Sequence, residues 1–150
     1  KGVALRDGDE VVEMVVLATD GTILTVCENG YGKRTNVVDY PKRSRGTMGV
    51  IDIKATERNG PVVSCMQVED DDEVMMVTQK GIMIRTPVDG IRHVGRNTQG
   101  VRVINLDDGD RLIDITRVVR DEEEVESAEL EEDESDNGAA PEGAADADEA

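Results

Sequence analysis

Short runs of β-branched and aliphatic residues alternate with polar turns through the first 120 positions. Val11 to Ala18 reads as a strand, Thr19-Asp20-Gly21 as a turn and Thr22 to Cys27 as the returning strand. Asn29-Gly30 is a hairpin signal because both residues tolerate positive φ, and Tyr31 to Val38 continues the pattern. The same order returns as Val62 to Val68, the acidic turn Glu69 to Asp72, Val74 to Thr78, Lys80-Gly81 and Ile82 to Thr86. Lys1-Gly2-Val3 reads as a further strand whose sheet lies elsewhere. No stretch before residue 120 holds a helical period.

These elements belong to an internal repeat. Ile23-Leu24-Thr25-Val26 through Gly30, Arg34 and Thr35 aligns with Val74-Met75-Met76-Val77 through Gly81, Arg85 and Thr86, an offset of 51 residues. The register persists: Arg45 falls on Arg96, Thr47 on Thr98, Gly49-Val50 on Gly100-Val101 and Ile53 on Ile104. A second match places Leu5, Gly8-Asp9 and Met14 on Leu106, Gly109-Asp110 and Ile115. A unit of roughly 50 residues with four short strands has the size of a propeller blade. The expected fold is therefore all-β, with two propeller-like blades over residues 1–119. Two blades close no ring and residue 1 is Lys, so a piece of a longer protein is expected.

Composition narrows the core. There is no Phe or Trp, and Tyr31 and Tyr40 are the only aromatic side chains, so any core must be built from Val, Ile, Leu and Met. Nothing suggests the aromatic stacking platform of a single-strand binder.

The net charge of −17 looks hostile to nucleic acid until it is located. Residues 121–150 hold 15 acidic groups and no basic one, whereas residues 1–120 hold 19 acidic and 17 basic. The segment 120–150 is expected to be a disordered acidic tail, since it has too few large apolar residues to offset the entropy of ordering. Tethered directly to a core whose rims are expected to be basic, its carboxylates should oppose DNA binding. Deleting residues 121–150 is expected to strengthen duplex binding severalfold at low salt, with the gain shrinking as salt screens both effects. Equal affinities with and without the tail at low salt would leave it a solubilising role alone.

The remaining charge follows the repeat. Residues 33–58 carry Lys33, Arg34, Lys42, Arg43, Arg45, Lys54 and Arg58 against Asp39, Asp52 and Glu57; residues 80–105 carry Lys80, Arg85, Arg92, Arg96 and Arg102 against Asp89 alone. Residues 59–79, between them, hold five acids and no base. Cations recurring at the blade period should line one rim, which suits a phosphate backbone. The slim loops Ser44-Arg45-Gly46-Thr47 and Gly95-Arg96-Asn97-Thr98 add backbone and hydroxyl donors. Nothing points to base-specific reading, which usually needs a helix or ribbon in the major groove, so recognition of duplex shape and phosphate is expected.

Candidate chemistry is sparse. Cys27 and Cys65 lack Cys-x-x-Cys or Cys/His company and read as core thiols rather than a disulfide or metal site. His93 stands alone and reads as a loop residue. Glu69 to Glu73 lacks the alternating ligands and central Gly of a calcium loop and reads as a solvated turn. No nucleophile–base pair or phosphate loop is present, so the segment itself is expected to carry no catalytic residue and no cofactor.

Three strings resemble a known family: Glu28 to Thr35 (ENGYGKRT), Thr56 to Gly60 (TERNG) and Val94 to Val101 (VGRNTQGV) are similar to blades of the DNA gyrase A C-terminal domain. The resemblance covers about residues 1–119, and the tail matches in composition only. It implies a six-bladed β-pinwheel that wraps duplex DNA on a basic perimeter, within a bacterial, cytoplasmic type II topoisomerase that introduces negative supercoils with ATP. It also implies ATP and Mg2+ in other domains of the parent enzyme, and partnership with gyrase B in an A2B2 heterotetramer. Carried over by position, the perimeter cations would be Lys33, Arg34, Lys42, Arg43, Arg45, Arg85, Arg92 and Arg96. The family's Gln-Arg-Arg-Gly-Gly-Lys-Gly string is absent, with Lys42-Arg43-Ser44-Arg45-Gly46 in what looks like the corresponding loop of a later blade. Tyr31 is not the DNA-cleaving tyrosine: it sits at a hairpin, its repeat partner is Ile82, and the family's nucleophile lies in another domain. The alternatives are the corresponding C-terminal domain of topoisomerase IV and a protein-binding propeller with an incidental basic rim.

Overall fold

The computed structural model describes residues 1–18 and 20–119, and the tail expected over 120–150 lies outside them. Residues Lys1–Val118 form one compact unit. Seven strands are present among the described residues: β1 (Thr22–Cys27), β2 (Tyr31–Asn36), β3 (Val62–Val68), β4 (Glu73–Thr78), β5 (Met83–Pro87), β6 (Val101–Arg102) and β7 (Leu112–Arg117). A 3-10 turn, Val37–Asp39, follows β2, and the described residues contain no α-helix.

The strands form two antiparallel sheets, in the orders β3-β1-β2-β6 and β5-β4-β7. The hairpins β1–β2 and β4–β5 are equivalent under the repeat, with Leu24 opposite Arg34 in one and Met75 opposite Arg85 in the other. Gly30 closes the first hairpin at φ 79°. A Cβ there would lie 2.7 Å from the Ile104 carbonyl oxygen, so only glycine fits. The third strand of each sheet comes from further along the chain, β3 beside β1 and β7 beside β4. β6 belongs to the second repeat, yet it completes the sheet of the first by pairing Val101 with Gly32 and Arg102 with Tyr31. The second repeat thus lends a strand to the first.

Leu24, Val26, Val68, Val74, Met76, Val88, Ile91, Ile104, Leu112 and Ile115 merge into one core shared by both sheets. This bears out a core made without large aromatics. Cys27 and Cys65 are free thiols, and burial pushes the pKa of each up to about 11.

Two strand expectations are corrected. Residues 11–18 carry no ladder. Their repeat equivalent, β3, pairs with β1; no described strand stands one repeat earlier to pair with 11–18 in the same way. The segment instead lies against β3 through side chains: the Glu13 carboxylate accepts from Ser64 Oγ (2.8 Å) and the Cys65 amide (3.0 Å), and the Ala18 amide donates to Gln67 Oε1 (2.8 Å). Lys1 to Val3 is likewise not a strand, although Gly46 N–H donates to the Gly2 carbonyl (2.7 Å).

The two repeats solve the same packing problem with different chemistry. In the first, the Lys33 ammonium is fully buried and donates to Asp52 Oδ1 (2.9 Å) and Thr35 Oγ1 (2.6 Å). Asp52 also accepts from Thr25 Oγ1 (2.7 Å) and from the Tyr40 hydroxyl. Burial, reinforced by that carboxylate, raises the Tyr40 phenol well above its ordinary value. At the same positions the second repeat has Ile84 for Lys33, Val103 for Asp52, Met76 for Thr25 and Ile91 for Tyr40. All four of those apolar residues are in or against the common core.

Candidate nucleic-acid interface

The two basic loops are built on the same turn. In the first, Thr47 Oγ1 donates to the Ser44 carbonyl (3.0 Å); in the second, Thr98 Oγ1 donates to the Gly95 carbonyl (3.2 Å). Arg45 and Arg96 therefore occupy the same position of the same turn. The second loop is stitched to the first repeat: Arg34 N–H donates to the Arg92 carbonyl (3.2 Å), Val94 N–H to the Arg34 carbonyl (2.9 Å) and Lys54 N–H to the Thr98 carbonyl (2.7 Å). Gly100 ends it at φ 74°, where a Cβ would meet the Gly32 carbonyl oxygen at 2.7 Å.

On these turns Lys42, Arg43, Arg45 and Arg92 are exposed, and among the described residues none has a carboxylate partner. Arg96 is half-buried. Its guanidinium donates to the Ile51 carbonyl (3.1 Å) and lies 5.8 Å from the centre of the Tyr40 ring. Arg85 is exposed on β5 and paired with Glu73.

Lys33 and Arg34 are not perimeter cations, which corrects the sequence-based assignment. β2 is buried without a break from Tyr31 to Thr35 because β1 closes one edge while β6 and the second loop close the other. Lys33 is committed to Asp52. Arg34, only 3% exposed, donates to the carbonyls of Ile91 (2.8 Å) and Asp89 and pairs with Asp70. Hydrogen bonding to Arg34 and its charge hold the Asp70 carboxyl below the usual range. That contact contributes above the ordinary carboxylate pKa and is lost as pH falls through the lowered one.

The acidic turn is likewise more than a solvated loop: Asp70 engages Arg34, Asp72 approaches Arg117 (3.5 Å) and Glu73 pairs with Arg85. His93 is a surface loop residue, 3.6 Å from Asp70.

The family described as DNA gyrase C-terminal domain, beta-propeller matches residues 22–69 and again 72–118. The chain belongs to this family.

The two matched segments are the two structural repeats. Curated relatives include the DNA gyrase A protein of Escherichia coli (strain K12), 47% identical over 144 residues that cover 95% of this chain and 16% of the relative. The gyrase A protein of Haemophilus influenzae is 50% identical over 110 residues, 73% of this chain and 12% of the relative. The chain thus spans about a sixth or less of the length of these relatives. A solved structure of the DNA gyrase A C-terminal domain superposes with a TM-score of 0.74 at 30% identity, covering 79% of this chain and 40% of the other. The C-terminal domain of DNA topoisomerase IV superposes equally well, TM-score 0.74, at 24% identity over 89% of this chain and 42% of the other, a likeness of fold alone. Family and curated relatives both carry the gyrase name.

One group of residues escapes a sequence reading of the family's blades. Arg58 and Arg102 both lie over the Tyr31 ring, 4.8 and 5.1 Å from its centre. Both fall within the recurring basic segments, but their repeat counterparts are Gly109 and Ile51, so aligning the repeats singles out neither. The visible signal is only that Arg102 sits beside Val101, which aligns with Val50 of the first repeat.

Proposed function

We propose that this chain binds duplex DNA through backbone phosphates on a rim formed by the loops at 41–49 and 92–100, using Lys42, Arg43, Arg45, Arg92 and Arg96. The observation that carries this reading is one turn built twice, each copy holding an arginine at the same position among exposed cations without carboxylate partners. Exposed guanidinium and ammonium groups attract phosphate without regard to sequence, and slim Ser/Thr/Gly turns let a duplex approach closely. Family membership supports the wider reading. In the longer protein the domain wraps DNA so that a bacterial, cytoplasmic gyrase can introduce negative supercoils with ATP and Mg2+ acting elsewhere, in an A2B2 heterotetramer with gyrase B.

Duplex binding should be nearly independent of sequence. The log–log dependence of affinity on salt should have a slope of about −4 to −7, the value for about 5–8 neutralised phosphates. Fluorescence anisotropy with two unrelated duplexes, from low to moderate salt, measures both quantities. A slope near zero would overturn the reading and favour a protein-binding propeller.

A further inference from the structure

We propose that Arg58 and Arg102, clamped on Tyr31, form an additional anion site that takes a phosphate of the duplex backbone; this rests on the DNA-binding reading above and extends it beyond the two loops. Three observations converge on it.

The first is charge without compensation. Arg34, Arg85, Arg111 and Arg117 each pair with a carboxylate, namely Asp70, Glu73, Glu28 and Asp72. Arg58 and Arg102 are both exposed, and among the described residues neither pairs with one, although Glu57 is adjacent in sequence. Two like charges held against one ring are a standing repulsion that an anion relieves.

The second is rigidity. Arg102 is fixed by the β2–β6 ladder and donates through Nη2 to the Tyr31 hydroxyl (2.8 Å). The turn bearing Arg58 is built around Asn59, which is fully buried. Asn59 accepts from the Thr56 amide (2.7 Å) and hydroxyl (3.0 Å) and donates to the carbonyls of Lys54 (2.9 Å) and Gln99 (3.0 Å). The Asn29 side chain also donates to the carbonyls of Glu57 and Arg58. Both guanidiniums therefore stand on constrained backbone, so binding an anion costs little ordering entropy. Guanidinium N–H groups that do not face the ring remain available as charge-assisted donors.

The third is location. Tyr31 and Arg58 come from the first repeat and Arg102 from the second, so the site exists only where the lent strand joins them. The Arg58 guanidinium beside it, with Arg102, holds the Tyr31 phenol below its ordinary range, in keeping with a locally positive environment.

The test uses the full 150-residue chain with the double substitution Arg58→Gln, Arg102→Gln. Duplex affinity should fall and the salt slope should become shallower by about 1 or more, while the thermal midpoint stays near that of the parent. In the unaltered chain, the side-chain Nε–H signals of Arg58 and Arg102 should shift on adding duplex. An unchanged slope with unshifted Nε–H signals overturns the proposal, whether or not the midpoint moves. So does a lowered midpoint with an unchanged slope, which makes the cluster purely structural. If the substituted chain fails to fold, the signals of the unaltered chain decide alone. Failure of the broader reading is distinct: there the unaltered chain itself binds no duplex. Shifts produced equally by inorganic phosphate at matched ionic strength would show a free-anion site instead and overturn the assignment to DNA.

Discussion

Replacing Asp52 by Val should destabilise the folded chain by about 3–5 kcal/mol, enough to lower the thermal midpoint by roughly 10–20 °C. The cause is the partner left behind. Lys33 has no exposure, and without Asp52 only the Thr35 hydroxyl remains to meet its charge. The Thr25 and Tyr40 hydroxyls lose their acceptor at the same time. The second repeat supplies the control, since it fills the same four positions with Met76, Ile84, Ile91 and Val103. Transplanting that set, as Thr25→Met, Lys33→Ile, Tyr40→Ile and Asp52→Val together, should restore stability to within about 1–2 kcal/mol of the parent or exceed it, because buried ion pairs are often replaceable by well-packed apolar groups of similar volume. Calorimetry on the two variants reads this directly. If the fourfold variant melts as low as the single one, the polar group is required by the shape of the first repeat and is not interchangeable with an apolar core.

The largest effect on function is expected from Arg45→Ala combined with Arg96→Ala. Both arginines occupy one position of a duplicated turn, so a single duplex passing over both loops would lose two phosphate contacts. Its salt slope should become shallower by about 2, and affinity should fall to the same degree for unrelated sequences. Stability should change little. Arg45 is exposed, and loss of Arg96 frees a carbonyl on exposed Ile51 that water can satisfy. A shifted melting curve with unaltered DNA binding would make these arginines structural and remove the rim.

Periodicity makes some of this legible from sequence and conceals the rest. Val62 to Val68 is legible to its limits because β-branched residues run between two polar turns. The same pattern in Val11 to Ala18 forms no strand, since a strand also needs an edge to pair with, and sequence does not supply one. β6 escapes because two residues leave no period to detect, and β7 because its LIDITR run does not alternate apolar with polar residues along its whole length. Charge alone is enough to put the loop cations Lys42, Arg43, Arg45 and Arg92 on the surface. It fails for Lys33 and Arg34, because counting charge treats every cation as solvent-facing. Lys33 is met by Thr35 and Asp52 of its own repeat, and Arg34 by Asp70 and the Asp89 and Ile91 carbonyls from far along the chain. Arg58 and Arg102 are the converse case: they matter through a contact between repeats that neither repeat contains.

The lent strand also bears on how such a chain is made. Tyr31 meets Arg102 across 71 residues, so β2 emerges from the ribosome well before its outer partner exists. At about 5–20 residues per second this edge stands open for several seconds, long enough for an unpaired strand to recruit a neighbouring nascent chain. Lys33 and Arg34 lie in the middle of that edge, and charged residues there resist intermolecular pairing. Lys33 and Arg34, the most enclosed cations among the described residues, thus stand where charge opposes edge-to-edge pairing until residues 91–102 are made.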